Sequence, residues 1–212
     1  MTLAAVVDYD LGNLPSVTKA IERIGVDTVI VDSPAGFDET IDAVVFPGVG
    51  HFGAGARNLA ERRLDRPLKE WASAGRPLLG ICVGLQLLFA HSEEDPDAAG
   101  LGIVDGEVRR LKAAKVPLIG WANIDVAPRA RVLDAVQPDD MAYFVHSYYV
   151  DPDPAVVAAT TTYEHEFCSA IEADNVVGLQ FHPEKSAEVG RKVLQRFFDV
   201  VVTGSAAGRP AT

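Results

Sequence analysis

The chain has 212 residues, enough for one domain with a substantial core, and its 48% hydrophobic and 23% charged content is that of a globular protein. A formal net charge of −11 argues against nucleic acid and anionic membrane surfaces as partners. No apolar run reaches the roughly 18 residues of a membrane span; the opening, Met1 to Asp8, lacks a basic stretch ahead of its apolar residues, so it reads as a first strand and not a signal peptide, and the expected location is the cytoplasm.

Residues 3–8 form the first expected strand and 10–13 a loop. Val17, Ala20, Ile21 and Ile24 recur at helical spacing over 16–24, with Ser16 as the expected cap and Gly25 as the stop. Strands are expected at 28–31 and 43–46, the latter running into Pro47-Gly48-Val49-Gly50. Helical patterns fill 54–74, a fourth strand covers 77–82, and 83–91 reads as a helix. These strands are continuously apolar, as strands covered on both faces are, which predicts a doubly wound, mainly parallel α/β sheet flanked by helices. The second half differs. Short strands are expected at 103–108, 124–126, 143–145, 156–162, 168–171 and 176–181, with few helices between them, so part of the sheet should be antiparallel. A closing helix is expected at 186–202. The reading is of one domain over 1–203 and a small-residue, flexible tail over 204–212.

The two cysteines, Cys82 and Cys168, lie in apolar runs, where a cysteine is ordinarily an inert core residue. They imply no disulfide in a cytoplasmic chain, and no spacing suits a metal. Cys82 has a distinct context. It stands where an apolar strand meets an apolar helix, flanked by Gly80 and Gly84 as G-x-C-x-G. That is the cysteine form of a nucleophile elbow, in which the sharp turn excludes side chains at the flanking positions and lifts the nucleophile to a helix N-terminus. Cys168 lacks such a context and reads as core.

A cysteine nucleophile needs a base, and the base an orienting partner. Of the five histidines, His182 follows the apolar segment 176–181 and so lies at a strand's carboxyl end, where sites of open α/β sheets gather. Glu184, two residues on across Pro183, faces the same way in extended chain and can hold one imidazole nitrogen while the other faces the thiol; which nitrogen does which is not readable here. His51 and His146 also follow strand-like segments but have no acid two residues on, and the acids beside His165 face away. Three other readings stand beside this one. Gly48-x-Gly50-x-x-Gly53 matches a dinucleotide fingerprint superficially, although Glu70, near the expected distance, falls in a helical pattern. A stand-alone cysteine hydrolase would use the same triad, and a binding module would use none of it.

The segments Gly80-Ile81-Cys82-Val83-Gly84-Leu85-Gln86 and Gln180-Phe181-His182-Pro183-Glu184, in this order and separation, resemble the class I (triad) glutamine amidotransferases. Asp8 to Leu14, Pro47 to Phe52, Phe144 to Tyr149 and the continuation through Lys185 and Ser186 resemble the HisH type within that family, the glutaminase subunits of imidazole glycerol phosphate synthases, up to about residue 202. The resemblance implies a flavodoxin-like fold and glutamine hydrolysis through a γ-glutamyl thioester. Ammonia would pass to a barrel-type cyclase (HisF-type) partner in a heterodimer, with no cofactor and no metal. It implies Cys82, His182 and Glu184 as the catalytic triad. The main chain at Gly48, Val49, Gly50 and Val83 would form the oxyanion hole. Gln86, His146, Ser147 and Tyr148 would hold glutamine, and Asn13, Trp121 and Lys185 would face the partner. Near that expected interface the family reads Pro-His-(Met or Ile)-Gly-Trp-Asn, whereas this chain has Pro117-Leu118-Ile119-Gly120-Trp121-Ala122-Asn123; Asp10 and Pro15 also depart from the family's opening motif, and the alternative these departures leave open is a HisH-like paralogue that supplies ammonia to a different synthase.

Overall fold

The structure, a computed structural model, describes residues 2–204. The apolar runs of the first half become β1 (Leu3–Val7), β2 (Asp27–Val31), β3 (Ala43–Gly48) and β4 (Leu78–Cys82), with α1 (Leu14–Glu22), α2 (Phe52–Glu61) and α3 (Asp65–Ser73) between them. After Cys82 come the single turn α4 (Val83–Gln86) and the strands β5 (His91–Ser92), β6 (Gly106–Arg110), β7 (Leu118–Asn123) and β8 (Asp125–Val126). The chain then forms β9 (Met141–His146), β10 (Tyr148–Pro152), β11 (Val157–Tyr163), β12 (His165–Ala173) and β13 (Val176–Leu179). It closes with α5 (Ala187–Arg196) and a π-helical turn, Phe197–Val202.

Strands β2, β1, β3, β4 and β13 lie side by side and parallel. Beyond β13 the sheet continues antiparallel through β12, β10 and β6, with β5 at the edge and β11 and β8 branching from β12. β1, β3, β4 and β13 are buried on both faces, as their unbroken apolar runs require. The result is the mixed, doubly wound sheet flanked by helices that the sequence predicts. A separate antiparallel ribbon, β7 with β9, stands beside it.

Several local expectations need correction. Ser16 is not a cap: α1 begins at Leu14, with Asn13 before it and Pro15 in the first turn, where a fixed φ and a missing N–H cost nothing. The pattern over 54–74 is two helices, broken at Arg63, which has φ 57°. The helix expected over 83–91 stops at Gln86. The carbonyls of Leu87, Leu88 and Ala90 accept from Leu101, Ile103 and Gly100, partners that a continuing helix would have denied them. β7 and β10 are strands that the local pattern does not predict. Of the expected tail, 204–212, only Gly204 lies among the described residues. Among those residues no helix is long and apolar enough to cross a membrane.

Candidate active site

Three parallel strand ends converge. Gly48 at the end of β3 pairs in register with Cys82 at the end of β4, and β13, on the other side of β4, leads through Gln180 and Phe181 to His182. Cys82 has φ 54° and ψ −109°, a conformation that L-residues rarely adopt and that surrounding structure must enforce. The enforcement is close packing. A Cβ on Gly84 would lie 1.8 Å from the Phe46 carbonyl oxygen, and one on Gly80 would lie 2.9 Å from the Leu85 Cα. Because α4 is only one turn long, the field at Cys82 comes from the few free N–H groups of that turn and not from a long helix.

Behind the thiol, His182 Nδ1 lies 2.8 Å from Glu184 Oε1, and both side chains are about 2% exposed. This assigns the nitrogens: Nδ1 belongs to Glu184, and Nε2, buried without a partner of hydrogen-bonding geometry, is left for Cys82. Burial alone would push the His182 imidazolium down; its interactions with Cys82 and then with Glu184 more than offset that and raise it to about 9.

A second buried histidine goes the other way. His146, at the end of β9, donates from Nδ1 to the Tyr148 carbonyl at 2.9 Å, since that oxygen can only accept. Burial pushes it down to about 4, against the opposing effect of the Tyr148 bond, so it is neutral near pH 7 and its Nε2 offers a lone pair. One histidine is thus built to hold a proton and the other to refuse it.

A cavity of about 280 Å³ opens on these groups. Of the residues anticipated from the sequence, Val49, Gly50, Cys82, Val83, Gln86, His146, Ser147, Tyr148 and His182 line it. Gly48 sits behind the lining, paired with Cys82, and Glu184 stands behind His182. Glu94, Pro117 and Val145 also line it and were not anticipated. Glu94 lies in the acidic run Glu93-Glu94-Asp95, which carries no motif; its Oε2 accepts from the Phe52 N–H at 2.6 Å at the head of α2. A larger cavity of about 680 Å³, between Phe37 and Trp71, is lined by neither cysteine nor histidine.

The remaining candidates fall elsewhere. His51 caps α2, its Nδ1 accepting from Gly53 N–H at 3.1 Å, and His91 is exposed on β5. His165 packs against Tyr149 and Phe167. Cys168 is buried in β12, its thiol pushed up to about 12 by burial, so it stays protonated and inert. On the β7–β9 ribbon, Trp121 is 50% and Ile119 62% exposed. Trp121 meets Tyr143 edge to face at 6.0 Å, and Lys185 Nζ lies 5.8 Å over the same Tyr143 ring, so these two candidate interface residues form one surface. Asn13 is exposed at the head of α1. Leu118 and Ala122 alternate with the exposed residues and pack inward. The departures from the family pattern at 118 and 122 therefore change the inner face of the ribbon and leave its outer ridge in place.

The model of the class I glutamine amidotransferase family matches residues 5–201. The HisH subunit of imidazole glycerol phosphate synthase from Carboxydothermus hydrogenoformans is 44% identical over 94% of this chain and 100% of its own length. The HisH subunit from Aquifex aeolicus is 45% identical over 91% of this chain and 94% of its own. Among solved structures, a GMP synthase subunit from Thermoplasma acidophilum superposes with a TM-score of 0.75 at 20% identity, covering 98% of this chain and 97% of that one. The PurLQS structure from Thermotoga maritima gives 0.73 at 20% identity, covering 96% and 99%. The chain belongs to the class I glutamine amidotransferase family, in the branch of the HisH subunits.

Proposed function

We propose that this chain is the glutaminase subunit of a cytoplasmic imidazole glycerol phosphate synthase, hydrolysing glutamine to glutamate and passing the ammonia to a barrel-type cyclase partner in histidine biosynthesis. The observation that carries the reading is the buried His182–Glu184 pair behind a cysteine forced to a positive φ, with His182 and Cys82 opening on one cavity. Cys82 attacks the carboxamide carbon of glutamine as thiolate. The oxyanion is received by main-chain N–H groups at Val49, Gly50 and Val83, with Gly48 giving the strand its close approach. His182, as imidazolium, gives its proton to the departing nitrogen, and ammonia leaves a thioester. Water then attacks the thioester carbon, His182 takes the water's proton, and glutamate departs as the Cys82 sulfur is released. Glu184 holds the ring through Nδ1. Gln86, His146, Ser147 and Tyr148 position the substrate, and Glu94 supplies the carboxylate that its α-ammonium calls for.

The direct test is glutamate release by this chain alone and with the cyclase and its nucleotide-derived substrate. Turnover should be low alone and rise strongly in the complex; no release in the complex would refute the reading. The inward packing of Leu118 and Ala122 favours the cyclase over a different synthase as partner, because the exposed ridge of Ile119 and Trp121 does not include them. Trp121→Ala is predicted to weaken the complex by about tenfold or more, as a half-exposed aromatic anchor would, measured by titration calorimetry.

The His182 proton sets the alkaline limit. Its imidazolium is raised, so the proton is present below about 9 and lost above it. The rate of thioester formation should therefore fall as pH rises through about 9. Glu184→Gln removes one of the groups that hold the proton. It should bring this limb down by about one pH unit and lower kcat about tenfold or more, read from kcat against pH for both forms.

A further inference from the structure

Gln180 precedes the base by two residues and opens the segment Gln180 to Glu184 that carries the family resemblance, without a role of its own read from it. It is fully buried, and its side chain touches the sulfur: Nε2 lies 3.7 Å from Cys82 Sγ. Its other end, Oε1, accepts from Gln86 Nε2 at 3.2 Å, and Gln86 Nε2 also donates to the Tyr148 carbonyl at 2.8 Å. That carbonyl oxygen can only accept. Gln86 must therefore point its –NH₂ at it, and the atom of Gln180 facing the same –NH₂ must be the oxygen. By elimination the –NH₂ of Gln180 faces Cys82. The orientation is dictated by a carbonyl two hydrogen bonds away.

The direction matters because of what lies on the other side of the sulfur. The Val145 carbonyl is 4.0 Å from Sγ and favours the S–H form, to which it is an acceptor. The Gln180 amide is a donor and favours S⁻. Turned over, Gln180 would present a second acceptor, and two carbonyl oxygens would oppose ionisation of the thiol, leaving the His182 imidazolium alone to favour it. Resting on the glutaminase reading above, we infer that Gln180 is a further catalytic residue: its Nε2–H donates to the Cys82 sulfur and stabilises the thiolate that attacks glutamine, with Gln86 and the Tyr148 carbonyl locking the carboxamide in the donating orientation.

The test measures alkylation of Cys82 by iodoacetamide as a function of pH, read by peptide mass spectrometry so that Cys168 is counted separately. Gln180→Met keeps the volume and removes the donor. It should raise the pH of half-maximal alkylation by about one unit. It should also lower kcat for glutamine in the cyclase complex about tenfold while KM stays within about twofold. Gln86→Met frees the carboxamide to turn over and should shift the alkylation midpoint the same way by less. An unchanged midpoint in a Gln180→Met chain with native circular dichroism overturns the inference. Should that variant fail to fold, the wild-type chain decides: the Gln180 side-chain amide resonances should titrate with the alkylation midpoint and lose this titration in Cys82→Ser, and resonances indifferent to pH in the wild type overturn the inference. Alkylation needs no substrate, so a shifted midpoint without glutamine turnover upholds Gln180 and refutes the glutaminase reading instead.

Discussion

Cys82→Ala is expected to lower glutamine turnover in the cyclase complex by at least about 10⁴-fold, because no other group in the cavity can form the thioester and members of a nucleophile–base unit fail together. Turnover within about tenfold of the wild type would refute the assignment of Cys82. The fold should survive, and partner binding with it. A further comparison separates chemistry from backbone strain. Cys82 holds φ 54° and ψ −109°, and alanine inherits that conformation while glycine does not resist it. Cys82→Gly should therefore be as inactive as Cys82→Ala yet more stable than it by about 1 kcal/mol in chemical denaturation. Equal stability of the two would mean that the junction relaxes when the sulfur is removed.

Gly84→Ala is expected to cost about 3 kcal/mol or more, seen as a large loss of melting temperature or as failure to fold. The added Cβ would lie 1.8 Å from the Phe46 carbonyl oxygen and 2.8 Å from its carbon, and both atoms are main chain of a central strand that cannot swing aside. Gly75 provides the contrast. It sits at φ +72° with nothing within 4 Å of the place an added methyl would take, so Gly75→Ala meets only the conformational penalty, about 1 kcal/mol. If the two substitutions cost the same, crowding at the elbow is not what demands glycine there.

Much of this architecture was legible because the signals were local. Unbroken apolar runs marked β1, β3, β4 and β13, whose two faces are both covered. Glycines at 80 and 84 marked the turn around Cys82, and an acid two residues beyond His182 marked its partner, a pair the structure places 2.8 Å apart. What was not legible depended on distant chain. The pattern over 83–91 is helical in period, but carbonyls at 87, 88 and 90 are taken by N–H groups from 100–104, and no local periodicity reports that competition. β7 carries exposed apolar residues at 119 and 121, so it lacks the polar outer face by which a half-buried strand is recognised. Glu94 reaches the cavity through a bond to the head of α2, far from it in sequence. Gln180 stands in the motif around His182, but its contacts with Cys82 and Gln86, 98 and 94 residues away, are not readable from that motif.

The β7–β9 ribbon has one more consequence. Leu118, Ile119 and Trp121 pair across it with His146, Val145 and Tyr143. Val145 and His146 line the cavity; the Tyr143 carbonyl accepts the main-chain N–H of His182 at 2.9 Å, and its own N–H is held by Ser186. The outer surface and the cavity are thus separated by a partition a single ribbon thick, and His182 is bolted to that partition. Pressure on Ile119 or Trp121 acts in mechanical series with the position of His182, with no intervening layer of core to absorb it. Substitutions on this outer ridge should therefore change the chemistry at Cys82 although neither side chain reaches the cavity.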